Sequence, residues 1–198
     1  SPESAKLLVL EESILKESPE AKLVLASYAD SDRSIGDMDM IVTATSGAGK
    51  KILDIMKVKP GCVITDVARP LDLPAEEVAK RPDVLVIESG EVYLPGKVSM
   101  KQIGFEDPNV VYACLAETIV LALEGRFENF TLGRTIEWEK VHEIYKLGLK
   151  HGMRLAAISG VNGVFSDEDI AKVRELALEA RAKASRTPKS DFSTSEVN

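Results

Sequence analysis

The sequence predicts an α/β fold with a parallel, doubly wound sheet, and three observations carry that expectation. Apolar runs at 38–45, 62–68 and 83–88 alternate with turns and short helical stretches, the order that gives parallel strands joined by right-handed crossovers. The runs are close to continuous rather than alternating, as in strands covered on both faces. A chain of 198 residues with 44% apolar and 29% charged side chains is long enough to bury such a core.

The elements follow in order. Pro2 and Glu3 open a helix in which Leu7, Leu8, Leu10, Ile14 and Leu15 recur at helical spacing until Ser18 and Pro19 stop it. The runs 21–28 and 38–45 read as buried strands, and the loop Ser46, Gly47, Ala48, Gly49 leads into a short helix over 50–57. Pro60 and Gly61 turn the chain into a strand over 62–68, with a helix over 75–80 and a strand over 83–88 behind it. Beyond Gly90 the pattern becomes mainly helical, at 109–124, 137–150 and 166–184. Ser166 caps the last of these, with Asp167, Glu168 and Asp169 in its first turn and Arg181 and Lys183 in its last, charges that suit the helix dipole. The expected organisation is a sheet unit over 1–90, a mainly helical region over 91–185 packing back on it, and a disordered tail over 186–198. A dinucleotide-binding sheet opens with a strand and a G-x-G-x-x-G turn. This chain starts with a helix, at Ser1, and holds no such turn, so its sheet is expected to be incomplete, the first strands belonging to a longer polypeptide.

Composition removes several function classes. Thirty-two acidic against twenty-five basic side chains give a net charge of −7, which repels nucleic acid and anionic lipid surfaces. No apolar run approaches the roughly 20 residues of a bilayer span, and the first residues lack the charged-then-apolar pattern of a signal, so a cytoplasmic location is expected. Cys62, Cys114, His142 and His151 lack zinc-ligand spacing, and no metal is expected. The string from Ser46 to Lys50 fails as a phosphate-binding loop, because Ala44 stands where a glycine is required and Lys51 where a serine or threonine is.

Ligands of open parallel sheets sit at the carboxyl ends of the strands. That singles out Ala44, Thr45, Ser46 and Gly47, then Asp66 and Ala68, then Glu88, Ser89 and Gly90. These positions are either cofactor contacts or ordinary loop structure, and Asp66 either accepts from a ligand or caps its own turn. Cys62, at the amino end of its strand, reads as a core residue. Cys114 lies early in a helix, where thiols are activated, although a buried core cysteine suits the composition as well. Glu117 and Thr118 share its helical face. His142 falls on one face with Trp138, Val141 and Tyr145, and His151 sits in a last helical turn before Gly152, where a cap explains it.

One set of strings resembles a known family. Tyr112, Ala113, Cys114, Leu115, Ala116, Glu117 and Thr118, then Leu123, Glu124 and Gly125, then Asn129 and Phe130 leading to Gly133 and Arg134, then Lys150, His151 and Gly152 are similar to the carboxyl-terminal half of cyanobacterial long-chain fatty acyl-ACP reductases. The resemblance covers about residues 1–155 and is specific mainly within 112–152. It implies a Rossmann-type cofactor domain like that of shikimate dehydrogenase, NADPH as cofactor, and reduction of a fatty acyl thioester to the aldehyde. It also implies an acyl carrier protein or coenzyme A thioester as partner and Cys114 as the acyl-accepting nucleophile, with Glu88, Ser89, Gly90, Glu117 and Thr118 near the substrate. The missing glycine-rich turn departs from the family, as do Glu88 and Ser89 in place of Asn-Gly. Three other expectations stand beside it: a shikimate dehydrogenase-like or glutamyl-tRNA reductase-like oxidoreductase, the latter suggested by the segment from Asp66 to Asp72; a non-catalytic NAD(P)-binding domain; and self-association that covers open sheet surface.

Overall fold

Three parallel strands form the centre of the molecule: β1 (Met40–Thr43), β2 (Val63–Asp66) and β3 (Leu85–Glu88), in register Thr43 beside Asp66 beside Glu88. The structure, a computed structural model, describes residues 2–26, 34–45, 52–99, 105, 107–133 and 136–186. Its architecture is mixed α/β, as the alternating pattern predicts.

Period-two patterning decides how the sheet is used. Ile64 and Val86 point to one face and are buried there with Leu53, Ile55, Val58, Cys62, Leu73 and Val84. Met40 and Val42, on the other face of β1, are 63% and 56% exposed. Burying each isoleucine at Ile55 and Ile64 contributes about 2–3 kcal/mol, so this one-sided core carries much of the unit's stability. A helix, α2 (Ala75–Val78), connects β2 to β3. Arg81 then ties the layer together, its guanidinium donating to the carbonyls of Ile55 at 2.9 Å and Val58 at 2.8 Å and pairing with both oxygens of Asp83 at 2.8 Å.

The chain past Gly90 carries the three expected helices and also short strands that the helical periodicity does not announce. β4 (Glu91–Tyr93) pairs antiparallel with β5 (Val110–Tyr112) and with β6 (Arg154–Leu155), making a second, three-stranded sheet. Residues 109–112, expected as helix, are therefore largely strand: Val110, Val111 and Tyr112 are the residue types that pack well on a pleated surface. The helix begins only at α3 (Ala113–Leu123), and α4 (Trp138–Lys150) packs beside it. β7 (Ser159–Gly160) and β8 (Gly163–Val164) then add to the first sheet beside β3, antiparallel. Gly160 is required there: a Cβ would stand 2.7 Å from the Phe165 ring and 2.9 Å from the Val86 carbonyl oxygen.

The last helix, α5 (Asp167–Arg186), starts where the cap predicts. Ser166 Oγ accepts from the Asp169 amide at 3.1 Å while the Asp169 carboxylate accepts from the Ser166 amide at 2.9 Å. The first helix, α1 (Pro2–Glu17), also forms as expected, yet Leu8, Val9 and Leu10 on it are exposed. Residues 21–26 pair with no described strand, and Val24 is 87% exposed, so the expected strand over 21–28 does not form in its described part. Of the short helix expected over 50–57, only a single 3-10 turn, Ile55–Lys57, is formed among the described residues. Ser46, Gly47 and the tail past 186 lie outside the described residues.

Candidate functional site

A cleft of about 330 Å³ opens between α3 and α4, closed on its remaining side by β4 and β6. Its volume lies in the range of small-molecule sites, about 300–1,000 Å³. The sequence builds it by helical spacing: Cys114, Glu117 and Val120 recur along α3, while Val141, Ile144, Tyr145 and Gly148 recur along α4. Gly148 faces the cleft, and a Cβ there would meet only Met153, at 4.0 Å. Beneath the cleft lies a second core of Leu94, Val111, Ala116, Val120 and Met153.

The carboxyl ends of the two helices are locked together. Glu124 accepts from Lys150 Nζ at 2.7 and 3.0 Å and meets His151 Nε2 at 2.5 Å, so the Lys150 ammonium first, and His151 after it, hold its carboxyl below the usual carboxylate range. Gly125 and Gly152, at φ +68° and +79°, end the helices in the left-handed conformation that suits glycine.

At the mouth of the cleft stand few polar groups. Cys114, in the first turn of α3, is exposed, which excludes the buried-core reading of this thiol. Glu117 is half-buried and is held by Thr131, whose hydroxyl and amide both donate to its carboxylate. Arg154 lies across the Tyr93 ring, 4.3 Å from its centroid, as a cross-strand neighbour. Thr118 falls outside the cleft, its hydroxyl donating to the Cys114 carbonyl at 3.2 Å. Cys62, by contrast, is sealed in the sheet core, where burial pushes its thiol pKa up.

The strand ends form a separate polar cluster. Asp66 is 1% exposed and both its carboxylate oxygens are used by its own turn, accepting from the Ala68 and Leu73 amides at 3.0 Å each. Of the two roles considered for Asp66, the structure shows the capping one. Thr45 donates from its hydroxyl to Asp72 at 2.6 Å and from its amide at 3.1 Å, with Ala44 exposed beside it. Arg69 reaches Glu88 at 3.7 Å, Glu91 at 3.8 Å and the Ser89 carbonyl at 3.3 Å, and lies over the Tyr112 ring. Burial pushes the Glu91 carboxyl above its usual range against the pull of the Ser159 hydroxyl, which donates to it at 3.1 Å. Gly90 joins this cluster to α3, its carbonyl accepting from the Ala113 amide at 2.7 Å.

Of the residues singled out from the sequence, then, only Cys114 and Glu117 line the cleft. Arg154, Leu155 and Gly148 were not singled out. Gly148 was detectable as the small residue completing the face of Val141 and Tyr145, whereas nothing local announces Arg154. Among the described residues no group of three His, Cys, Asp or Glu side chains is placed to hold a metal ion, and no helix is long and apolar enough to cross a membrane.

No model of a known protein family matches the sequence. A curated relative, the aminotransferase PigE of Serratia sp. (strain ATCC 39006), is 42% identical over 118 residues, 57% of this chain. The chain spans only 13% of that relative's length.

This similarity corrects the family expected from the sequence. The relative is named as a transferase of amino groups, so the likeness to fatty acyl-ACP reductases does not stand, nor does the NADPH-dependent, aldehyde-forming oxidoreductase drawn from it. NADPH falls with it, leaving no nicotinamide cofactor for Ala44, Thr45, Ser46, Gly47, Asp66 and Ala68 to contact. The dehydrogenase-like, glutamyl-tRNA reductase-like and NAD(P)-binding alternatives fall as well. In the structure several residues of those strings have local roles: Gly125 and Gly152 are helix ends, and Glu124 pairs with Lys150 and His151 to lock α3 to α4. Such punctuation belongs to helix geometry rather than to one chemistry.

Proposed function

We propose that this chain contributes a ligand-holding module to an aminotransferase-type protein, with the α3–α4 cleft receiving an apolar part of the ligand beside the Cys114 thiol. The observation that carries this reading is the cleft itself, a cavity with mostly apolar walls and only a few polar groups at its mouth. The similarity to a protein named as an aminotransferase supports the wider setting.

Pyridoxal phosphate, the coenzyme of aminotransferases, is held through a lysine Schiff base and a charged partner at its pyridine nitrogen. The cleft's lining does not fit it. No described lysine lines the cleft, and Lys150 on α4 is committed to Glu124. Lys172 borders a groove beside α5 but is exposed to solvent. The module's own work is therefore binding and orientation.

Cys114 is the group placed to touch the ligand, and Glu117, held still by Thr131, shapes the mouth next to it. An acyl carrier protein or coenzyme A, the partners expected from the sequence, enters this reading only as a vehicle for the apolar group. A cytoplasmic setting suits the unpaired thiols, which persist in reducing compartments. Self-association through β1, the edge strand of its sheet among the described residues, belongs to the same reading.

The test is calorimetric binding of decanol, a neutral apolar probe, to wild type and to Gly148→Leu. Leucine is a better helix former than glycine and its side chain projects into the cleft, so the variant folds and loses the site. Binding by wild type that Gly148→Leu abolishes is the expected result. Equal binding by both, or by neither, would overturn the reading.

A further inference from the structure

The cleft is apolar inside, yet one cation stands at its mouth. Arg154 lines it, alternating along β6 with Leu155 and carried opposite Tyr93 by the strand register. Its guanidinium carbon lies 4.3 Å from the centroid of the Tyr93 ring, a cation–π contact that uses none of its donors. Among the described residues Arg154 makes no ion pair with a carboxylate, in contrast to Arg69, Arg81 and Arg126, each of which does. Glu117, the carboxylate that also lines the cleft, accepts from the Thr131 hydroxyl and amide. A guanidinium that is oriented, lacks a counter-ion in the described structure and borders an apolar cavity has the chemistry to receive an anion attached to an apolar body.

The geometry points to an amphiphilic ligand, with its apolar tail in the α3–α4 cleft and a single anionic head group, carboxylate or phosphate, paired with Arg154. This rests on the reading that the cleft holds an apolar group and adds the class of ligand. Arg154 is then a specificity-determining residue: it favours anionic over neutral or cationic amphiphiles of the same tail. The planar, forked donors of arginine give the head group a fixed orientation that a lysine does not reproduce.

The experiment compares decanoate, decyl phosphate, decanol and decylamine by calorimetry on wild type, Arg154→Gln and Arg154→Lys, with circular dichroism to verify folding. Arg154 is exposed on a strand edge, so its substitution leaves the core intact. Wild type is expected to bind an anionic probe about three- to tenfold more tightly than decanol, and Arg154→Gln to erase that preference while binding decanol unchanged. The preferred anionic probe identifies the head group, and Arg154→Lys retains part of the preference. Equal affinity for decanoate, decyl phosphate and decanol in wild type, or an anion preference that survives in Arg154→Gln, would overturn the inference while leaving the apolar cleft standing. Binding of none of the four probes would overturn the cleft reading as well.

Discussion

The two apolar cores of this molecule use the same residue types for opposite ends. In the parallel-sheet core, a cysteine, a carboxylate and an arginine are all consumed internally: Cys62 is sealed, Asp66 caps its own turn, and Arg81 is shared between Asp83 and the Ile55 and Val58 carbonyls. In the α3–α4 region a cysteine, a carboxylate and an arginine stand at the rim of a cavity, and two of them, Cys114 and Arg154, keep their reactive or charged groups toward solvent. Residue type alone therefore does not separate structure from function here. What separates them is whether the polar atoms already have partners inside the fold.

That contrast predicts a ranking of mutational effects. Arg81→Met should be the most damaging of three substitutions, about 3–4 kcal/mol in urea denaturation, because it strands the buried Asp83 and frees the carbonyls of Ile55, Val58 and, at 3.3 Å, Met56. Its pH dependence has a definite sign. The hydrogen bond from Arg81 lowers the folded Asp83 pKa, so the stabilisation is present above the unfolded carboxylate value and is lost as pH falls through the folded one. The gap between wild type and variant should narrow in acid, leaving the pH-independent loss of the Arg81 bonds to backbone carbonyls.

Asp66→Asn should follow, at about 2 kcal/mol, since an amide can accept from one of the two backbone amides that Asp66 satisfies but not from both. A cost near zero would mean that the turn, and the partition between the two regions, does not depend on that carboxylate.

Glu124→Gln should have the smallest effect on stability. Its partner Lys150 is exposed and His151 half-buried, and the loss should be full above the unfolded carboxylate range, fading as pH falls through the lowered folded value. A larger loss than that of Asp66→Asn would break the comparison, because it would make the helix lock a main support of the fold.

Much of this architecture was legible in the sequence, and the limits have physical causes. β1, β2 and β3, Ser166 as a cap and Gly152 as a helix end were readable because each rests on local chemistry: apolar runs, a hydroxyl before an acidic turn, a glycine at positive φ. β4, β5 and β6 were not, because two- and three-residue strands exist only through their pairing with distant segments. The cleft was half legible. Cys114 was singled out by its place early in a helix and by the family resemblance, and Glu117 by sharing its helical face, but Arg154 takes its place from the register between β4 and β6, which no local pattern encodes. The functional family followed from a resemblance of short strings around Cys114, and the similarity to a protein named as an aminotransferase overturns it.

The most direct test of the cleft as a ligand site is the rate of Cys114 alkylation by iodoacetamide, followed by intact mass in the presence and absence of saturating decanol. Cys62 serves as the internal control, since it is sealed in the other core. The account predicts one rapidly alkylated thiol, lost in Cys114→Ser, whose reaction is slowed severalfold by decanol in wild type but not in Gly148→Leu. Alkylation of Cys114 at the same rate with and without bound decanol would contradict it.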